Sequence, residues 1–424
     1  MQLILGILGF IFIFGLAVLV HELGHFLTAR RAGVLCHEFA IGMGPILWKK
    51  RKGETLYTFR AIPIGGFVSM GMSEGERDVF KEGSQIGLTL DNSGNVIKIH
   101  YQPEAGQIAG TLISNTLNVS TDLEITLRVA DEVKVYPVDR GAMYVDAKAD
   151  RMLQIVPTDR RLEEKPKRQR FLIMAAGALM NFILAYVLVL IVAMISGEVV
   201  GTQIAFGTIT PNGPADEAGL QQGDIVLEIA GEVIDDSQQI SQALQVAGGQ
   251  EVVIVFERDG NRQQAELAPI LRDGVYVMDV VLHSSPIMSE ERSLSGVIRS
   301  ANAMWTDGAL FIANTLHMLV TREVGVDQLA GVVGIVQMTS EVAMLGMLPL
   351  LMFASVMNIN LGIFNLLPFP GLDGGHLVFV AIEAIIGRPV DAKIQNMVSL
   401  AGIALLMLLM VFALYNDIRR IFLG

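Results

Sequence analysis

Leu3 to Val20 is an almost unbroken apolar run, and Phe171–Ile195, Met347–Leu367 and Ser399–Tyr415 repeat the pattern. These runs restrict the fold more than any other feature of the chain. A backbone placed in hydrocarbon must satisfy its own N–H and C=O groups, so runs of this length become helices. At about 1.5 Å per residue, each is long enough to cross a roughly 30 Å apolar layer. Composition agrees: 52% of the 424 residues are hydrophobic and 17% are charged, where a soluble chain carries about 25% charged residues. The first run opens on Met1-Gln2 and leads straight into His21-Glu22. It has neither the basic start nor the small-residue cleavage site of a secretory signal, so a membrane helix is expected. The pattern predicts a multi-pass α-helical membrane protein with four transmembrane helices and the lipid bilayer as its solvent.

Basic residues predict the orientation. Arg30, Arg31, Lys49, Lys50, Arg51, Lys52 and Arg60 follow the first run, and Lys165, Lys167, Arg168 and Arg170 precede the second. The positive-inside rule makes the segment between them cytoplasmic, with the N-terminus and the stretch from about 198 to 345 extracytoplasmic. Arg419 and Arg420, after the fourth run, oppose this assignment but are outnumbered. The net charge of −12 speaks against a nucleic-acid partner, which needs a basic patch to neutralise phosphates. The single cysteine, Cys36, permits no intramolecular disulfide and reads as a small buried residue.

Three regions do not span. From Glu38 to Met70, short aromatic and β-branched runs are punctuated by Gly42, Gly44, Pro45, Pro63, Gly65 and Gly66, which predicts hairpins. From about 76 to 160, alternation in Val96–Ile99, Leu123–Val129 and Val133–Tyr136, with a turn at Asp91–Gly94, predicts a β-rich cytoplasmic insert without evident chemistry. From about 200 to 281, Pro214–Leu220 reads as a short helix closed by a glycine and Gly223–Ile229 as a turn into a strand. Ser237–Val246 reads as an amphipathic helix and Val252–Glu257 as a strand. The stretch GPADEAGLQQGDIVLEIAGEVI resembles a PDZ domain of the bacterial protease-associated type, a fold that can accept an extended peptide along a sheet edge.

The chemistry gathers at His21-Glu22-Leu23-Gly24-His25. On a helix, residues four apart share a face, so both imidazoles can reach one metal ion. Zinc suits such ligands, and a catalytic site keeps one position open for water. Glu22 can then take that water's proton. Ionisable groups in the continuation of an apolar helix are costly in lipid and point to function. A further protein ligand must come from elsewhere, and the acidic group of the third apolar stretch is Asp373. It follows Asn365-Leu366-Leu367-Pro368-Phe369-Pro370-Gly371-Leu372, where prolines and glycines break the helix. Broken backbone at membrane depth is tolerated where it lines a polar cavity or lies within protein. A helix-capping Asp373 and a ligating His376 are the competing assignments.

These motifs together, HELGH, GMGP with IPIGGFV, AAGALMNF, the PDZ-like stretch and NINLGIFNLLPFPGLDGGH, resemble the site-2 protease family (peptidase M50) of the bacterial RseP/RasP type. The single PDZ-like domain and the β-rich insert are similar to the RasP branch. The resemblance implies an intramembrane zinc metalloendopeptidase of the bacterial plasma membrane. It would cleave single-pass transmembrane segments of proteins already trimmed by another protease, such as anti-sigma factors or signal-peptide remnants. It further implies Zn2+ on His21, His25 and Asp373, Glu22 as catalytic base, and a substrate cleft shaped by Asn360, Asn365, Pro368 and Pro370. Gly65, Gly66 and Phe67 would belong to a re-entrant β element that pairs with unwound substrate. Ala178 and Val332 stand where the family often has proline, which puts only local backbone geometry in question. The division expected is 1–33 for the first transmembrane helix with HExxH, 34–72 for the re-entrant element and 73–165 for the insert. The second helix is expected at 166–197, the PDZ-like domain at 198–284 and an extracytoplasmic linker with amphipathic helices at 285–345. Residues 346–424 should hold the third and fourth helices with the LDG motif. A peptide-binding membrane scaffold with a relic metal site and a metal transporter are the competing functions.

Overall fold

The computed structural model describes residues 2–71, 81–117, 122–146, 151–196, 199–211, 213–234, 237–272, 275–288, 293–323, 325 and 331–423. The boundaries expected at 72/73 and 197/198 lie outside these residues. The chain forms two compact units, Met1–Leu188 with Trp305–Gly424, and Val189–Met304. In chain order, α1 (Gln2–Arg31) is followed by β1 (Cys36–Lys52) and β2 (Thr55–Met70). Next come β3 (Gln85–Leu90), β4 (Val96–His100), β5 (Ile108–Asn115), β6 (Glu124–Val129), β7 (Glu132–Asp146), β8 (Arg151–Gln154) and α2 (Lys167–Ser196). The second unit contains β9 (Val199–Ile209), α3 (Pro214–Glu217), β10 (Ile225–Ile229), β11 (Glu232–Val233), α4 (Ser237–Ala247), β12 (Val252–Arg258), β13 (Asn261–Leu267), β14 (Ile270–Arg272), β15 (Val275–Val277) and β16 (Val280–Met288). Then α5 (Leu294–Thr321) leads back to the first unit, with α6 (Val332–Met344), α7 (Met347–Leu366), α8 (Asp373–Ile386) and α9 (Ala392–Leu423).

Among the described residues, four helices, α1, α2, α7 and α9, are long and apolar enough to cross a membrane. Each of the three outer runs extends beyond its apolar stretch. α1 continues unbroken through the HELGH motif, and α9 starts seven residues before Ser399. On α9, Leu400 is 69% exposed and Leu408 65% exposed, a surface suited to lipid rather than water. The third run behaves differently. Helix α7 stops at Leu366, and Asp373 begins a separate helix, α8.

β2 folds along both sides of β1. Glu38–Ile41 pairs with Leu56–Phe59 on one side and with Gly66–Ser69 on the other, while Ile46–Lys52 pairs with Thr55–Arg60. The strand segment 57–60 is therefore interior, and the sheet's two edges among the described residues are Ile46–Lys52 and Gly66–Met70, the latter next to α1. Glu38 fixes the fold-back: its Oε1 accepts from Thr58 Oγ1 at 2.6 Å and from Arg60 Nη2 at 2.7 Å. The Arg60 guanidinium also lies 5.1 Å from the centre of the Phe67 ring, a cation–π contact. Cys36 is buried at the start of β1, and burial pushes its thiol up to about 12.

The insert is a closed structure. β4-β3-β5-β6-β7 follow one another in antiparallel pairs, and β4 pairs with β7 in parallel, completing a five-stranded ring with β8 added to β7. Ile86, Leu88, Val96, Ile99, Leu112, Ile125 and Leu127 fill it. Glu54, at the tip of the β1–β2 hairpin, receives both Arg160 guanidinium nitrogens at 2.6 and 2.8 Å. That guanidinium holds the Glu54 carboxyl below the usual carboxylate range. The second unit is a sheet ordered β13-β12-β10-β9-β16, with β11 on β10. Its core joins Ile240, Ala243 and Leu244 of α4 to Ile204, Phe206, Ile254 and Phe256 of the sheet. Strand β16 runs to Met288, past the boundary expected at residue 284.

Helix α6 packs along α1 and lacks a side-chain cap of its own. Asp417 of α9, 3% exposed, supplies one: its carboxylate accepts from the Gly331 N–H at 3.1 Å and the Gly334 N–H at 2.9 Å. A Cβ on Gly331 would sit 2.6 Å from Asp417 Oδ2, so the glycine permits the approach. Val332 occupies the first helical position, where proline's missing N–H costs nothing and valine is equally admissible. Asp417→Ala leaves both amides without an acceptor, a loss of about 1–3 kcal/mol for a buried group. Amide exchange over residues 331–344 should accelerate accordingly in nanodisc-embedded protein. Unchanged exchange there would show that the cap carries no stability.

Candidate metal centre

Helix α1 passes α2 at a point where both are small. A Cβ on Gly24 would collide with the Ala176 carbonyl and lie 2.8 Å from Met180 Cγ. This close passage, built on small residues as helix contacts in lipid generally are, sets His21 and His25 against one face of α2. Ile173, Gly177 and Asn181, at four-residue steps, form that face. His25 Nδ1–H donates to the Ile173 carbonyl at 2.7 Å. Gly177 leaves room for both rings: a Cβ there would collide with His25 Nε2 and lie 2.6 Å from His21 Nε2. The Asn181 amide lies 3.2 Å from His21 Nδ1.

Asp373 arrives from the break after α7. The chain turns through Leu367–Leu372 and restarts as α8 with Asp373 in its first turn, where the helix dipole favours a carboxylate. The glycines after it make the turn possible. A Cβ on Gly374 would overlap the Leu367 carbonyl, and one on Gly375 would lie 2.5 Å from the Phe369 carbonyl. Far along α8, Glu383 receives Arg170 Nη1 at 2.6 Å, and its carbonyl accepts from Lys167 Nζ at 3.0 Å. Glu383 is buried and Arg170 partly so, and this ion pair ties the aspartate's helix to α2.

The three side chains converge. His21 Nε2 and His25 Nε2 lie 3.1 Å apart, and Asp373 Oδ2 lies 3.1 and 3.2 Å from them. No other group of three His, Cys, Asp or Glu side chains comes this close among the described residues. With the His25 proton on Nδ1, its Nε2 presents a bare lone pair. Asp373 Oδ2 is buried and accepts no hydrogen bond. Electron-pair donors facing one another at 3 Å repel, and a cation among them turns that repulsion into coordination. Two imidazoles and one carboxylate fit zinc with one position left for water. His376 is exposed and stands outside the cluster. The centre therefore offers His21, His25 and Asp373 without it.

Glu22 sits beside this cluster, and the Val68 N–H on the open strand edge is directed at its carboxylate. Gly66 allows that edge to come close. A Cβ there would lie 3.2 Å from both Glu22 Cγ and Val18 Cγ1, and 2.8 Å from the Ala40 carbonyl. Gly65 takes a positive φ of 84° beside Met43, and Phe67 is held under Arg60. Asn360 stands on the wall of an apolar cavity of about 260 Å³ between α1, α6 and α7, with Phe10, Ala17 and Ile335. Asn365 lies at the end of α7, and Pro368 in the turn is exposed. Pro370 is packed against α9, where Gly402 makes way for its carbonyl.

From the sequence alone, Ile173, Gly177, Asn181 and Glu383 had no part in the centre, and Arg170 had one only in orientation. The AAGALMNF stretch did contain a signal: a glycine and an asparagine four apart inside an apolar helix. Gly177→Ala pushes both imidazole edges out of place and should weaken divalent-metal binding by about tenfold or more. Chelator competition on the folded variant measures this, and wild-type affinity would mean that the rings do not need the space.

Residues 9–409 match the model of peptidase family M50. Over 421 residues the chain is 38% identical to the Regulator of sigma-W protease RasP of Bacillus subtilis (strain 168), covering 98% of this chain and 99% of that protein. It is 36% identical over 437 residues to the Zinc metalloprotease RasP of Geobacillus kaustophilus (strain HTA426), with 99% of each covered. The match runs from the first membrane-type helix to the last and includes all three clustered side chains, so the chain belongs to peptidase family M50.

Proposed function

We propose that this protein is an intramembrane zinc metalloendopeptidase that cleaves transmembrane segments of proteins previously shortened by another protease. The observation that carries the reading is the convergence of His21, His25 and Asp373 beside Glu22, on helices of membrane-spanning length and composition. His21, His25 and Asp373 would hold Zn2+. When bound, zinc supplies the positive charge that makes water acidic enough to attack near neutral pH and polarises the scissile carbonyl. Glu22 takes the proton of the attacking water and delivers it to the leaving nitrogen. The Val68 N–H keeps the Glu22 carboxylate turned to that task.

A substrate helix hides its peptide bonds in its own hydrogen bonds, so it must unwind locally before attack. The open edge Gly66–Met70, next to Glu22, can hold the extended form by strand addition. Asn360 and Asn365 offer amides to the freed main chain, and Pro368 and Pro370 keep the opposite wall from closing into a helix. The Bacillus subtilis relative is a regulator of sigma-W protease by name, which favours an anti-sigma factor as substrate. Leftover signal peptides meet the same physical requirement. The basic residues between α1 and α2 favour a cytoplasmic insert and an extracytoplasmic N-terminus, with the PDZ-like unit extracytoplasmic as a filter against bulky outer domains.

Purified protein and its Glu22→Gln variant, each incubated with a single-pass model peptide in nanodiscs, test the chemistry. The wild type should cleave, and the variant should be slower by about 10²–10⁴-fold, the usual contribution of a positioned acid–base group. Equal rates would remove Glu22 from the mechanism, and no cleavage by either would favour a binding scaffold. A second experiment addresses the filter. Removing residues 199–288, with strands β9 and β16 taken out together, should let untrimmed substrates be cut as readily as trimmed ones. Retained discrimination would place the filter elsewhere.

A further inference from the structure

We infer that Asn181 is a positioning residue whose side-chain oxygen accepts the Nδ1–H of His21, holding that ring's Nε2 unprotonated and aimed at the metal. This rests on the zinc-centre reading above and adds to it the group that prepares the second histidine. Asn181 is 0% exposed in the middle of an apolar helix. Its amide meets His21 Nδ1 at 3.2 Å through Nδ2, and its Oδ1 is buried with no hydrogen-bond partner. A half-turn about the amide exchanges the two atoms and gives the stranded oxygen a donor, the Nδ1–H of His21.

The arrangement at His25 shows why that half-turn matters. There the Ile173 carbonyl accepts the Nδ1 proton at 2.7 Å and leaves Nε2 bare, facing Asp373. If Asn181 donated to His21 instead, His21 would carry its proton on Nε2, the atom that must give its lone pair to the metal. With the oxygen turned inward, both imidazoles are oriented alike by acceptors eight residues apart on one face of α2. Gly177, midway between them, lets both rings reach that face. Acceptors of this kind fix the tautomer and raise the basicity of metal-bound histidine.

The test compares Asn181→Asp and Asn181→Leu with the wild type in detergent-solubilised protein. Zn2+ dissociation constants come from chelator competition, and thermal midpoints are recorded on metal-free samples. Aspartate can only accept from the histidine, and leucine preserves the bulk without an acceptor. Asn181→Asp should bind Zn2+ within a few-fold of wild type, and Asn181→Leu about 10–100-fold more weakly. Metal-free midpoints that fall alike in both variants, with metal affinities falling alike too, would reduce Asn181 to a packing residue and overturn the inference. An Asn181→Leu protein with wild-type affinity would overturn it as well. Should Asn181→Leu fail to fold, Asn181→Asp alone decides: wild-type affinity supports the acceptor role, and a tenfold loss refutes it. Failure of the underlying centre reads differently, as a wild-type protein that takes up no Zn2+ and matches His25→Ala.

Discussion

Where α1 passes α2, Gly24 lies so close to the Ala176 carbonyl that no side chain fits between them. Lipid offers no hydrophobic drive to press two apolar helices together, so the contact relies on small residues, backbone approach and the polar groups it brings into register. Here it brings the two histidine rings against Ile173, Gly177 and Asn181. Had either helix carried a larger residue at the crossing, the rings would stand off from the acceptors that orient them. α2 is thus more than a long apolar helix: its inner face is the template against which His21 and His25 of α1 are laid.

The same helix governs the third side chain of the cluster, Asp373. Arg170, near the start of α2, is ion-paired with Glu383 at the far end of the helix that Asp373 begins. A bidentate-capable guanidinium in a buried pair fixes geometry as well as charge, and the carbonyl of the same glutamate receives Lys167. Irregular backbone between α7 and α8 would be costly if it faced lipid. Gly374, Gly375 and Gly402 let the turn pack against its own carbonyls and α9 on one side, while Pro368 stays exposed. The polar atoms that remain unpaired nearby, Asp373 Oδ2 and Asn181 Oδ1, are those that a metal ion and a properly turned amide would satisfy.

The β element supplies what helices cannot, an open row of main-chain groups close to the reacting centre. Its order matters: Gly66–Met70 is the edge beside Glu22, and 57–60 is held between two neighbours. The hairpin's far tip is clamped by Arg160 through Glu54, so the insert steadies the strand whose other end approaches α1.

The chain's own pattern determined the long apolar helices, the histidine pair with its glutamate and the helix break before Asp373. Each is written in local periodicity, in short spacing or in the cost of polar groups within apolar runs. Tertiary structure decided the choice between Asp373 and His376, because three residues along one helix separate a side chain aimed at the histidines from one turned outward. It also decided the open strand edge and the ring closure of the insert, since both depend on pairings between distant segments that alternation alone leaves free. The roles of Ile173, Gly177 and Asn181 were likewise invisible. An apolar helix has many faces, and only its crossing with α1 selects the one that meets the two histidines.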